Sequence, residues 1–150
     1  MASLDLSQNY SFYALPAAWF LAFFPGVYSK ALSKKNYNLA YPRQLAEAVA
    51  KDEKLDKATK NKILRCEAAV SNGQESMPVF MAAVIAANYA GVPAETLNKL
   101  AGLYLASRAA YNVTYIFLQD NPSFAPLRSL FWNVGVVSWM TLFVKAGNRL

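Results

Sequence analysis

Three short stretches of the chain hold residue types that could bind and activate a polar ligand. In the first, RCEAAVSNGQE, Arg65, Asn72 and Glu75 are separated by seven and then three residues, so on a helix they share one face. In the second, Arg108, Tyr111 and Tyr115 stand at i, i+3 and i+7, again on one helical face. The third is Arg128-Ser129, at the start of a further apolar run. Arginines take up carboxylates or a thiolate, a glutamate takes up an ammonium, and an asparagine pairs with amides.

The elements that must position these groups are strongly apolar. The chain has 150 residues, 55% hydrophobic and 14% aromatic, and the apolar residues lie in four blocks. That length fits one domain. A single cysteine, Cys66, excludes an internal disulfide, and one thiol with no histidine excludes a metal-ligand cluster. Cys66 follows Arg65 at a helix start, but no histidine exists to act as its base. The net charge of +6 is concentrated: residues 29–65 hold ten of the fifteen Lys/Arg and four of the nine acids. Beside apolar blocks, such a basic segment fits a membrane surface better than a nucleic acid.

The first block, Tyr10 to Tyr28, is nineteen residues long, roughly 28 Å as a helix, against a hydrocarbon core of about 30 Å. No Lys or Arg precedes it, and Lys30, Lys34 and Lys35 follow it. That is the pattern of a retained first helix with its N-terminus outside the cytosol. Pro16 and Pro25 should bend this helix or end it early. Asn9-Tyr10-Ser11 is a glycosylation sequon on the non-cytosolic side, expected to be too close to the membrane for use. Residues 29–57 form a basic cytosolic connection in which Gln44 to Ala50 could be a short helix.

The second helix is expected over 58–90, with Gly73 and Pro78 marking a bend and Ala90-Gly91-Val92-Pro93 ending it. The third follows over 95–118, carrying small residues (Gly102, Ala106, Ser107, Ala109, Ala110) that let helices pack closely in lipid. Arg108 falls well inside that span, where an arginine costs about 2.5–3.5 kcal/mol on insertion scales. The fourth is expected over 125–145, with Ser123 as its cap and Pro126 in its first turn. Arg128 at that N-terminus opposes the helix dipole, and a bound anion would relieve it.

The fold class is therefore an all-α membrane protein, a four-transmembrane-helix bundle with both termini away from the cytosol. In this topology all three polar stretches reach the cytosolic half of the bundle. A ligand carrying carboxylates, an amine and a sulfur to be ionised suits them, and glutathione is such a molecule. The residues permit that choice without requiring it.

At this point the sequence resembles the MAPEG family, the membrane-associated proteins in eicosanoid and glutathione metabolism. The matching pieces are Arg65-Cys66 with Asn72, Glu75, Pro78 and Phe80, then Arg108 with Tyr111 and Tyr115, then Pro126-Leu127-Arg128-Ser129. The resemblance implies a left-handed bundle assembled as a homotrimer in the endoplasmic reticulum or another endomembrane. It also implies that glutathione lies between neighbouring subunits near the cytosolic surface. By the same resemblance Asn72 and Glu75 would hold the γ-glutamyl end, and Arg108 and Tyr115 the peptide. Arg128 is similar to the arginine that stabilises the thiolate, and Ser129 to the serine beside the sulfur; Tyr111 varies between tyrosine and histidine. One departure is visible. Some relatives carry a further arginine and a histidine between Arg65 and Asn72, where this chain has Glu67, Ala68, Ala69, Val70 and Ser71. Lys30 or Arg43 could supply the missing charge.

The activity this implies is transfer of glutathione to a lipophilic electrophile, or reduction of a hydroperoxide with it. Two other readings stand beside it: a non-catalytic protein that binds and presents a lipid, and a glutathione-dependent isomerase.

Overall fold

The computed structural model describes residues 7–33 and 36–150, which are helical with connecting turns and no strand among the described residues. Lys34 and Lys35, part of the expected positive cluster, lie outside the described residues. Five α-helices follow one another: α1 (Ala14–Ser33), α2 (Leu45–Lys51), α3 (Lys57–Tyr89), α4 (Ala94–Val113) and α5 (Ala125–Gly147). The α-helical part of α4 passes into one wider π turn over Thr114–Leu118.

Neither proline ends α1. Pro16 lies in its first turn, where the missing N–H is not needed, and Pro25 is inside the helix, which continues to Ser33. A proline at position 25 cannot donate to the Leu21 carbonyl one turn back. The Nδ2 of Asn112 on α4 donates to that carbonyl at 2.8 Å, so an inter-helix bond takes the place of the lost one.

α3 begins where the Oδ1 of Asp56 accepts the Thr59 N–H at 2.9 Å, an N-cap that the mixed-charge run KDEKLDKATK conceals. It runs without interruption through Gly73 and Pro78. The reason for glycine at position 73 is close approach: a Cβ there would stand 2.9 Å from Cα and Cβ of Ala22 on α1. The helix stops at Gly91, which has a φ of 68°, while the Val92 N–H reaches back to the Ala87 carbonyl at 3.0 Å. Before α5, Asn121 rather than Ser123 is the capping residue. Its Oδ1 accepts the Ser123 N–H at 3.0 Å and opens a short 3-10 turn, Pro122–Phe124; Pro126 then lies in the first turn of α5.

α1 packs chiefly on α3 and α4 on α5, and further contacts of α3 with α5 and of α1 with α4 close the arrangement. The main core lies between these four helices, where Phe80 and Tyr104 stack with ring centres 3.8 Å apart among Ala83, Val84, Leu97 and Leu142. Burial of Leu45 and Val49 against Ile63 fixes α2 to the foot of α3. At the opposite end an asparagine clasp ties the chain start to α3 and α4. Asn9 Nδ2 donates to Asn88 Oδ1 at 2.5 Å, Asn88 Nδ2 to Ser11 Oγ at 3.0 Å, and the Tyr10 N–H to Asn98 Oδ1 at 2.8 Å.

Two segments, Ser11–Ser33 and Pro122–Gly147, are long and apolar enough to cross a membrane by length and composition. Two of the four expected spans meet that measure. The other two carry the polar groups: α3 opens with Lys57, Lys60, Lys62 and Arg65, and α4 holds Lys99 and Arg108.

Candidate functional site

α3, α4 and α5 together enclose an open cleft of about 740 Å³, a size suited to a small organic ligand. α3 contributes Ala68, Ser71, Asn72 and Glu75; α4 and its π turn contribute Tyr111 and Tyr115; α5 contributes Arg128, Ser129, Trp132 and Asn133. Six of the eight residues singled out in the sequence thus border one space: Asn72, Glu75, Tyr111, Tyr115, Arg128 and Ser129. The other two, Arg108 and Arg65, lie elsewhere.

Arg108 stands behind the cleft rather than in its lining. It is 5% exposed, donates through Nη2 to Asn72 Oδ1 at 2.6 Å, and its guanidinium lies 4.5 Å from the centre of the Tyr111 ring. Gly135 of α5 admits it: a Cβ there would meet the Ser107 hydroxyl at 3.0 Å and the Arg108 side chain at 3.6 Å. Among the described residues no carboxylate pairs with Arg108, since the ion pairs are Lys51–Glu47, Arg65–Asp120 and Lys99–Glu95. A buried guanidinium held by an amide oxygen and a ring face puts a positive charge directly behind Asn72 and Tyr111 of the cleft wall.

Arg128 is half-buried and rests over the Tyr115 ring at 4.7 Å from its centre. The π turn carries Tyr115, and Tyr111 and Tyr115 meet at 5.7 Å between ring centres. The ring of Tyr115 is therefore the platform that sets where the Arg128 charge points. Ser129 Oγ donates to the Ala125 carbonyl of its own helix at 3.2 Å, which leaves its lone pairs and position beside Arg128 on the cleft wall. Glu75 is exposed and carries no ion pair among the described residues, and the cleft lining holds this one carboxylate and one guanidinium, that of Arg128.

Arg65 occupies a neighbouring space of about 340 Å³ and donates to Asp120 at 2.8 Å. Tyr115 borders both spaces. Glu67 accepts a hydrogen bond from the buried Ser29 hydroxyl of α1, and lines a groove on the α1 side of α3 together with Lys30 and Arg43. The extra acid and the two candidate compensating cations thus share one groove that is not the cleft. Cys66 is buried against Ala69 and Ile116 and lines neither space.

Trp132 and Asn133 belong to the cleft but were not singled out in the sequence. The signal for them was their spacing: each stands four residues after Arg128 or Ser129, on the same face of α5. Asp120 had no such signal, since the turn after α4 reads only as a polar loop.

The model of the MAPEG family matches residues 11–148 of this chain. No curated protein and no solved structure matches it. The chain belongs to the MAPEG family, and with its two apolar helices it is a membrane protein of the glutathione and eicosanoid metabolism class.

Proposed function

We propose that this MAPEG protein is a glutathione-dependent membrane enzyme that transfers glutathione to a lipophilic electrophile, or reduces a hydroperoxide with it. The observation that carries this reading is the charge arrangement. Two arginines without a carboxylate partner among the described residues, Arg108 behind the cleft and Arg128 on its wall, lie with Glu75, Asn72 and two tyrosines around one space. Such a set fits a ligand that is a zwitterion with an acidic thiol.

In this reading Glu75 and Asn72 hold the γ-glutamyl end, the Arg108 charge draws the peptide inward, and Tyr111 and Tyr115 flank it. Glutathione bound there supplies a thiol as the nucleophile. A free thiol titrates at about 8.5 and is a few per cent ionised at neutral pH. Lowering that by two units takes roughly 2.7 kcal/mol of preference for the anion. In this reading the Arg128 guanidinium provides it together with the N-terminus of α5, which no side chain caps, and the Ser129 hydroxyl joins them on turning from the Ala125 carbonyl to the sulfur.

The site is open on one side, with Glu75 and Ser129 exposed, which supports a second copy of the chain as the missing wall and hence the homotrimer. The spans proposed are α1, α3, α4 and α5, in an endomembrane such as the endoplasmic reticulum. α3, with 33 residues, is roughly 50 Å long, so its charged first turns extend beyond a core of about 30 Å. In this reading the basic segment and the cleft mouth lie on the cytosolic side, as the excess of Lys and Arg in residues 29–65 suggests.

The test is glutathione binding to the detergent-purified protein, read together with ultraviolet absorbance of the bound thiolate. Binding with a thiolate signal that disappears in Arg128→Ala is the expected result, and conjugation should be lost with it while the trimer persists. Retained turnover in Arg128→Ala overturns the role of Arg128. No binding at millimolar glutathione overturns the enzyme reading in favour of a lipid-presenting protein, for which the uncharged Ala68 and Ser71 in the cleft wall would be suited.

A further inference from the structure

The space beyond Tyr115 is built around an incomplete ion pair. Its lining is Asn61, Leu64, Arg65, Tyr115, Gln119 and Asp120. Arg65 donates through Nη2 to Asp120 Oδ1 at 2.8 Å. The Nε–H lies on the same edge of the guanidinium, and Nε is buried with no hydrogen-bond partner among the described residues. A carboxylate meets such an edge best through two parallel N–H bonds, and Asp120 fills only one of them. The Oε1 of Gln119, in the same space, is likewise buried and without a partner.

The two members of the pair differ in their freedom to leave it. The Arg65 side chain is 11% exposed and that of Asp120 57%. Asp120 stands in the turn between α4 and α5, from which its carboxylate can turn into water; Arg65 is fixed on α3. An unmet buried donor costs more than a half-exposed ion pair returns, so a ligand that satisfies both N–H groups of Arg65 outcompetes Asp120.

We propose that this space is a carboxylate subsite masked by Asp120, and that its occupant is the C-terminal end of a peptide ligand. The carboxylate would take the Nε and Nη2 edge of Arg65, and the adjacent amide N–H would donate to Gln119 Oε1. Because Tyr115 borders both spaces, the proposal rests on the reading of the cleft as a glutathione site and assigns the glycyl end to the far side of Tyr115. Asp120 is then a built-in competitor that weakens binding of the peptide.

The experiment is calorimetric titration of the detergent-purified trimer with glutathione and with its glycinamide form. The proteins are wild type, Asp120→Asn, Arg65→Gln and, as a control for lost charge, Glu53→Gln. Asp120→Asn changes one exposed side chain of a turn and keeps its shape, so folding is not at issue. The expected result is that Asp120→Asn tightens glutathione about three- to ten-fold and leaves the glycinamide form unchanged. Arg65→Gln should weaken glutathione to the level of the glycinamide form and cancel the gain from Asp120→Asn. The subsite is overturned if Asp120→Asn leaves glutathione binding unchanged or weaker, tightens both ligands alike, or is matched by Glu53→Gln. Wild-type binding without these differences removes the subsite and spares the cleft reading; no glutathione binding by any of the four proteins removes both.

Discussion

The Arg108 guanidinium donates to the Asn72 amide oxygen at 2.6 Å, and this bond joins α4 to α3 directly behind the cleft. It is a charge-assisted bond between a 5% exposed cation and a half-buried neutral acceptor, so its loss leaves a buried charge poorly solvated. Asn72→Ala should lower stability by about 1.5–3 kcal/mol. Thermal unfolding of Asn72→Ala, Arg108→Leu and the double variant in detergent would show the coupling. If the two single effects simply add, the bond contributes nothing of its own.

Tyr115 supports Arg128 through its ring and not through its hydroxyl. Tyr115→Phe should therefore keep conjugation within about three-fold of wild type, whereas Tyr115→Leu should lower kcat/KM by about ten-fold through loss of the cation–ring contact. Steady-state kinetics with a small aromatic electrophile would separate the two. Equal losses would show that the hydroxyl, in contact with the ligand, is the group that matters.

Gly73 and Gly102 make a matched pair for substitution. A Cβ at position 73 would press on the Ala22 backbone at 2.9 Å, and one at position 102 would meet nothing within 4 Å. Gly73→Ala should cost about 1–3 kcal/mol through forced separation of α1 and α3. Gly102→Ala should be neutral or stabilising by up to about 1 kcal/mol, from helix propensity alone. Unfolding midpoints in the same detergent give both answers.

Acidification should loosen the segment around α2 before the bundle. The Asn36 side chain and the Lys54 N–H hold the Asp52 carboxyl below its ordinary value of 3.8, and the Thr59 N–H does the same for Asp56 at the start of α3. Groups with depressed folded values stabilise above the unfolded value, and that contribution is lost as pH falls through the folded one. The amide resonances of Lys54 and Thr59 should accordingly titrate with midpoints below 3.8. Midpoints at or above that value would show that these bonds do not persist in solution.

Much of the site could be read from spacing. Asn72 and Glu75, Tyr111 and Tyr115, and Arg128 and Ser129 lie in one cleft because helical periodicity places each pair on one face. Periodicity is local, and it fails where a loop or a second helix decides. Arg65 shares the helical face of Asn72, yet Asp120 from the turn after α4 holds it in a separate space. Pro25 reads as a helix end in isolation, and α1 passes through it because Asn112, 87 residues later, takes the carbonyl that the proline leaves free. The close approach of Ala22 that calls for glycine at position 73 is likewise set by a second helix and not by the local sequence.

The asparagine clasp has a consequence for biosynthesis. Asn9 precedes its partner Asn88 by 79 positions, and Tyr10 precedes its partner Asn98 by 88. Until α3 and the start of α4 have been synthesised, the Asn9 amide and the Ser11 hydroxyl have no distant partner, and afterwards both are engaged. Asn9 stays exposed in the folded protein, but the Nδ2 that would carry a sugar is then the donor to Asn88. A sugar on that nitrogen would stand in the way of the clasp, so a sequon too close to the membrane for use is also what lets this end of the bundle close.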